Sequence, residues 1–375
     1  MSVRTVALTL RPTPEQAAAL ARTRTAWVRA CNLLSGVAWD TRTFQPYALQ
    51  KVAYYRVREE TGLLAQLTVR AIKVVCDSYR ADKTRRHAFR DDAAVVLDTP
   101  RLYRIRATLA EISTLDGRLR IKTAIGGHQR AQLAAAAKLA EADLIRDGKG
   151  RWRLMVSCHY DDPPEGQPDG YLGVDMGIRQ VAADSDGVLY SGAIRNGLRR
   201  RHSRLRSRLQ AKGSKSAKRL LRRRNRKQAS FQRDSNHCIS KTIVAKAAQS
   251  GRGIAIESLL GIRRRVASRG AEQRSALGNW SFAQLGAFLQ YKARAAGVRV
   301  VQVDPRNTSR TCLACGCIDK ANRPSQAVFR CVACAHTAHA DTNAAGVIAG
   351  RAEVMPPYVS DQRNPPFRPG TSPRL

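Results

Sequence analysis

The chain has 375 residues, with 66 Lys and Arg against 29 Asp and Glu, a formal net charge of +37. A surplus this large calls for a polyanionic partner. No apolar run approaches the ~20 residues of a membrane helix and no signal-peptide core is read, so nucleic acid is favoured over a lipid surface.

Val6, Leu8 and Leu10 alternate with polar residues and predict a half-buried opening strand, closed by Arg11-Pro12. Thr13-Pro14-Glu15-Gln16 predicts a helix start, with Thr13 as the cap and Gln16 at the third position. Leu20, Trp27, Cys31 and Leu34 then share one helical face. Two more helices are expected, from Pro46 to about Glu60 and from about Leu63 to Arg86, so residues 13–93 read as an all-helical insert. Its basic residues Arg70, Lys73, Arg80, Lys83, Arg85 and Arg86 are read as exposed, either to grip phosphates or simply to be solvated. From 94 to 160 the period moves toward two. Strands are expected over Tyr103–Leu109, Glu111–Ser113 and Arg118–Lys122, then Trp152–Cys158, with turns at Asp116-Gly117 and Asp147–Gly150. Residues 1–12 and 94–165 are therefore expected to form a small β-barrel interrupted by the insert, and Asp161–Asp169 reads as a linker.

A short apolar strand then ends in Asp175, with Gly177 permitting a tight turn before a second strand returns. An acid there is either a first metal ligand, as in RNase H-like nucleases, or the cap of a turn. Between Asp186 and Asp234 there is no acid, while Arg199, Arg200, Arg201, Arg204, Arg208, Arg222, Arg223, Arg224 and Lys227 recur. A one-sign stretch repels itself, so the helical hairpin of 195–250 is read as a nucleic-acid-binding arm. Gly253–Glu257 is a further strand ending in an acid, and 261–274 reads as mobile and basic. Trp280–Lys292 predicts an amphipathic helix whose Phe282, Leu285, Phe288 and Leu289 are read as core in preference to base-stacking residues. A strand at Val298–Val303 follows, and 353–375 is expected to be disordered.

Cys312-x-x-Cys315 and Cys331-x-x-Cys334, with 316–330 between them, have the spacing of a four-thiolate structural zinc site within a ribbon at 309–338. Cys31, Cys76, Cys158 and Cys238 read as core thiols and Cys317 as a bystander. The odd, mostly unpaired set of 9 argues against an oxidising compartment, and a cytoplasmic, nucleoid-associated location is expected. Asp341 opens a last helix (339–352), flanked by His336 and His339, which the zinc site does not need. Asp175, Glu257 and Asp341 would supply the carboxylates that two magnesium ions require to stabilise both the attacking and the leaving oxygen of a phosphodiester. No Ser-His-Asp set, Walker A loop or Rossmann glycine fingerprint competes.

Taken together, Gly173-Val-Asp175-Met-Gly177-Ile, Ile254-Ala-Ile-Glu257, Trp280-Ser-Phe through Tyr291-Lys, Val303-Asp-Pro-Arg306, the two cysteine pairs and Asp341-Thr-Asn343-Ala-Ala345 resemble the TnpB family. These are insertion-sequence-encoded (transposon) RNA-guided DNA endonucleases related to type V CRISPR effectors. The resemblance spans about residues 171–350; the first 160 residues match in architecture alone. It implies a multidomain α+β protein, with a wedge-type barrel and an RNase H-like, RuvC-type mixed-sheet nuclease over 170–308. It also implies Asp175, Glu257 and Asp341 as catalytic magnesium ligands, a guide RNA, and cleavage of double-stranded DNA beside a short target-adjacent motif. Ala335, His339 and Ser258 depart from the family pattern, where a glycine, an acid and an acid are common. An RNA-guided repressor that does not cut, and a guide-independent nuclease specific for DNA structure, are the alternatives.

Overall fold

The computed structural model describes residues 2–258 and 282–354, apart from the side chains of residues 199, 200 and 282. The segment read as mobile (261–274), Trp280 and the tail from 355 lie outside the described residues. The chain divides into two compact units, Met1–Asp161 and Asp162–Leu375.

In the first unit, the Gln16 amide donates to Thr13 Oγ1 (3.3 Å) and the Thr13 amide to Gln16 Oε1 (3.1 Å), a reciprocal cap that starts α1 (Pro14–Asp40). Helix α2 (Pro46–Thr61) ends on Gly62, whose φ of +66° suits glycine. Helix α3 (Ala65–Ala81) stops short of Arg86 because Asp82 turns the chain, accepting the amide of Thr84 at 2.9 Å. Arg70 corrects the sequence reading. Lying on the inward face with Leu67 and Ala71, it is buried, and its guanidinium sits 2.8 Å from Glu141.

Seven strands complete the unit: β1 (Ser2–Arg11), β2 (Val95–Leu97), β3 (Tyr103–Arg106), β4 (Leu109–Thr114), β5 (Gly117–Ala124), β6 (Lys138–Arg146) and β7 (Trp152–Tyr160). They form one antiparallel sheet in the order β2-β6-β7-β1-β5-β4-β3. The strand expected over 103–109 breaks at Ala107, where φ is +50°. Helix α4 (Gly127–Ala134) and β6 escape sequence reading, since alanine-rich 131–142 has no clear period. Val6 and Leu8 lie opposite Val156 and Leu154, so β1 and β7 bury matching sides. Edge strands β2 and β3 do not pair, but the Tyr103 hydroxyl spans to the Ala140 carbonyl on β6 at 2.5 Å, leaving a near-barrel. Trp27, Leu34, Leu67 and Tyr79 share one core with Leu8, Ile121 and Leu154, so helices and sheet are a single packed body.

The second unit is layered about a mixed sheet of β8 (Tyr171–Asp175), β9 (Gln180–Asp184), β10 (Leu189–Ser191), β11 (Gly253–Glu257) and β12 (Val300–Val303), in the order β10-β9-β8-β11-β12. Strands β8, β11 and β12 run parallel; β9 and β10 are antiparallel additions. A helical hairpin, α5 (Ala193–Lys212) and α6 (Lys215–Gln249), turns at Gly213, and Ser214 caps α6. Helix α6 and α7 (Phe282–Ala295) cover one face: Ile243, Val244, Leu285 and Leu289 pack on Leu172, Val174, Ile254 and Ile256. Helix α8 (Ala340–Val354) covers the other, with Ile348 and Ala352 against Ala255, Val301 and Val303. Residues 353 and 354, expected in the disordered tail, close this helix. Cys238, read as a core thiol, is exposed on α6, unlike buried Cys31, Cys76 and Cys158.

The contact between β8 and α8 is close enough to exclude a side chain. A Cβ at Gly173 would overlap the carbonyl oxygen of Ala345. Gly173→Ala must therefore push α8 away from the strand that carries Asp175. Overpacking of this kind costs about 1–3 kcal/mol; thermal unfolding should show the loss, whereas Gly197→Ala on open α5 should be nearly neutral.

Candidate active site

Parallel pairing of β8 with β11 brings their carboxyl ends to one edge. Val174 lies opposite Ile256, so Asp175 and Glu257 follow side by side. The first turn of α8 delivers Asp341 to the same edge. All three acids line one cavity of about 250 Å³, together with Thr308 and Arg323. The buried Thr308 hydroxyl donates to Glu257 Oε1. Arg323 donates from Nη2 to Asp341 Oδ1 at 2.9 Å and to the Gln326 carbonyl at 3.0 Å. The three carboxylates share the cavity without closing on a point. Among the described residues, only the four paired cysteines bring three or more potential ligand atoms within 4.8 Å of one another.

Burial pushes the Asp175 carboxyl up to about 8; the charges of Glu257 and Asp341 push the same way, and Arg323 opposes them. The folded protein therefore holds a proton there that the unfolded chain has released, so the stability contributed by this group falls as pH rises from about 4 to about 8. A cation in the cavity would reverse that bias. The lining offers hard oxygen donors and neither histidine nor thiol, which fits magnesium.

The four-cysteine cluster is geometrically sharper than the acid cavity. Cys312 and Cys334 place their sulfurs 3.7 Å apart, Cys315 and Cys331 3.5 Å. Four sulfurs around zinc at ~2.3 Å would stand about 3.8 Å apart, so the cluster could hold one ion with little movement. The backbone amide of Cys334, followed by that of Ala333, pulls the Cys331 thiol down to about 6, toward the thiolate that metal binding needs. Cys317 stays outside the cluster: its carbonyl accepts the Cys312 amide at 2.9 Å, a backbone role. His336 is outside it too, and His339 Nδ1 accepts the Asp341 amide at 3.3 Å.

Two residues tie the cysteine knuckle to the acid, and sequence reading assigned neither of them a role. Buried Asn343 accepts the Leu313 amide (3.1 Å) and donates to the Thr311 carbonyl (2.8 Å), latching α8 to the loop that carries Cys312. Arg323 reaches Asp341 from the spacer between the cysteine pairs. No local pattern marks it, because its partner is 18 residues away. In the basic hairpin, Arg201, Arg204, Arg208, Arg222, Arg223, Arg224 and Lys227 are all exposed; the side chains of Arg199 and Arg200 lie outside the described residues. The hairpin is rooted differently. Lys246 contacts fully buried Asp184 (2.8 Å) and Asp186 (3.0 Å), and Arg252 pairs with Asp186.

Asn343→Ala leaves two backbone groups unpaired at the knuckle, at about 1–3 kcal/mol. The expected result is a lower unfolding temperature and faster loss of zinc to a chelator, read by a colorimetric zinc assay. Asp175→Asn should raise the unfolding temperature of magnesium-free protein at pH 8 and flatten its decline between pH 4 and 8. A wild-type curve flat over that range would contradict the placement of the charge.

Residues 282–348 match the Cas12f1-like, TNB domain family. The chain is 34% identical over 238 residues to the CRISPR-associated endodeoxyribonuclease Cas12f1 of Sulfoacidibacillus thermotolerans, covering 58% of this chain and 54% of that protein. It is 35% identical over 101 residues to the TnpB-like protein MJ0751 of Methanocaldococcus jannaschii, covering 27% and 36%. The alignments span about half or less of these relatives' lengths. Among solved structures, the Cas12f1-sgRNA-target DNA complex aligns over 90% of this chain and 83% of that one, with a TM-score of 0.64 at 15% identity. The fold is thus a Cas12f-like multidomain α+β architecture with a near-barrel sheet and a four-cysteine cluster, and the resemblance to TnpB proteins is borne out. No helix among the described residues is long and apolar enough to cross a membrane.

Proposed function

We propose that the chain is an RNA-guided DNA endonuclease that hydrolyses target phosphodiesters at a RuvC-type, RNase H-like centre beside a short target-adjacent motif. The observation that carries this is the convergence of Asp175, Glu257 and Asp341 on one cavity, from two strand ends and a helix start. The relatives support it: those reported are named as an endodeoxyribonuclease and as TnpB-like, and the solved neighbour is bound to guide RNA and target DNA.

In this reading Asp175, Glu257 and Asp341 would hold two magnesium ions, which when bound supply charge stabilisation to the attacking and leaving oxygens. The chain's own residues prepare the centre. The Thr308 hydroxyl fixes the rotamer of Glu257, and Arg323 holds the Asp341 carboxylate turned into the cavity. The zinc ribbon contributes no chemistry, but through Asn343 it sets where α8 begins. The exposed cations of α5 and α6 would hold the guide RNA and the paired target by their backbones, leaving sequence to base pairing.

Asp175→Ala in the RNA-loaded protein should reduce target cleavage by roughly a thousandfold or more, as expected when a charge-stabilising centre is dismantled. Guide and target binding should stay within about twofold, and binding should weaken steeply with salt. Undiminished cutting by the variant would remove the site assignment. Protein that purifies without a discrete RNA and cuts branched DNA unaided would replace guidance with structure recognition.

A further inference from the structure

A second cavity of about 400 Å³ opens beside the one that gathers the acids, walled in part by Ser191, Asn196 and His339. The two cavities have Arg179, Gln326 and Asp341 in common. Arg179 lies at the turn between β8 and β9, and its backbone is held there: its carbonyl accepts the Gly192 amide at 3.0 Å. Next to it, Asn196 donates to the Ile178 carbonyl at 2.9 Å, tying the first turn of α5 to the same loop. The Arg179 side chain is exposed, and among the described residues no carboxylate engages it. That contrasts with Arg323, which is occupied by Asp341.

A strand entering the catalytic cavity carries a phosphate on each side of the one being cut. These flanking phosphates approach three carboxylates, so a rim without a cation would repel them. Arg179 is the exposed cation common to both cavities, and its fork-shaped guanidinium suits two phosphate oxygens. A cavity of 300–1,000 Å³ is of ligand size.

We propose that this second cavity seats the nucleotide next to the scissile phosphate, and that Arg179 grips the phosphate flanking it, setting which bond of the strand lies over the acids. The proposal rests on the nuclease reading above and adds a positioning residue to it.

The test uses the RNA-loaded protein in single-turnover cleavage of a target strand that is native or carries one methylphosphonate, an uncharged linkage, on either side of the scissile phosphate. For the wild type, one of the two positions should slow cutting roughly ten- to a hundredfold, the range of one lost charge-assisted hydrogen bond. Arg179→Ala should be slowed similarly on the native strand and hardly further by that methylphosphonate. Arg179→Lys should recover part of the rate, and target binding should be unchanged. A variant slowed by the methylphosphonate as much as the wild type, a wild type indifferent at both positions, or Arg179→Ala cutting at the wild-type rate each overturns the inference. Asp175→Ala run alongside separates the two claims. If it is inert while Arg179→Ala behaves additively, the nuclease reading stands and this one falls; if it cuts, the nuclease reading fails first.

Discussion

Three carboxylates facing one small cavity repel each other, and most of what surrounds them in the second unit bears on that repulsion. Asp175 cannot retreat, because Gly173 two residues earlier is pressed against the backbone of α8. Burial first, and then the charges of Glu257 and Asp341, make its proton hard to remove. Glu257 is held by a hydroxyl and Asp341 by a guanidinium. The centre is thus poised for added positive charge, and the proposed chemistry supplies it in the form the donors prefer.

The four-cysteine ribbon acts on this centre at a distance. Its knuckle is pinned to α8 through Asn343 and Leu313, the latter packed against Gly346. Metal binding to thiolates contributes folding free energy outright. An ion held there would order the loop from which Arg323 reaches Asp341, so the cluster would set the geometry of the acid centre without adding chemistry to it.

The basic hairpin divides its charge between two uses. At its root, Lys246 and Arg252 are neutralised by Asp184 and Asp186, which fasten α6 to the hairpin of β9 and β10. Toward its tip, from Arg201 to Lys227, the helices carry no acid at all. Self-repulsion there is relieved only by an outside polyanion or by salt, which suits the tip to the nucleic-acid grip proposed for it.

Whatever depends on neighbours in sequence was readable before the fold was known. The Thr13–Gln16 cap, the Asp116-Gly117 turn and the paired cysteines are short-range patterns, each with one dominant physical solution, and the strand-terminal acids are placed by short-range pattern even where their role is not. What the sequence could not reveal depends on partners far along the chain. Arg70 looked solvated until Glu141, 71 positions on, was beside it. Cys238 looked like core but falls on the outer side of α6. The roles of Arg323, Thr308, Asn343 and Arg179 arise only once two parallel strands and a helix N-terminus meet at one edge. Sequence alone determined which acids and thiols were available; the tertiary structure decided which face one another, because electrostatic coupling depends on separation in space and not on separation along the chain.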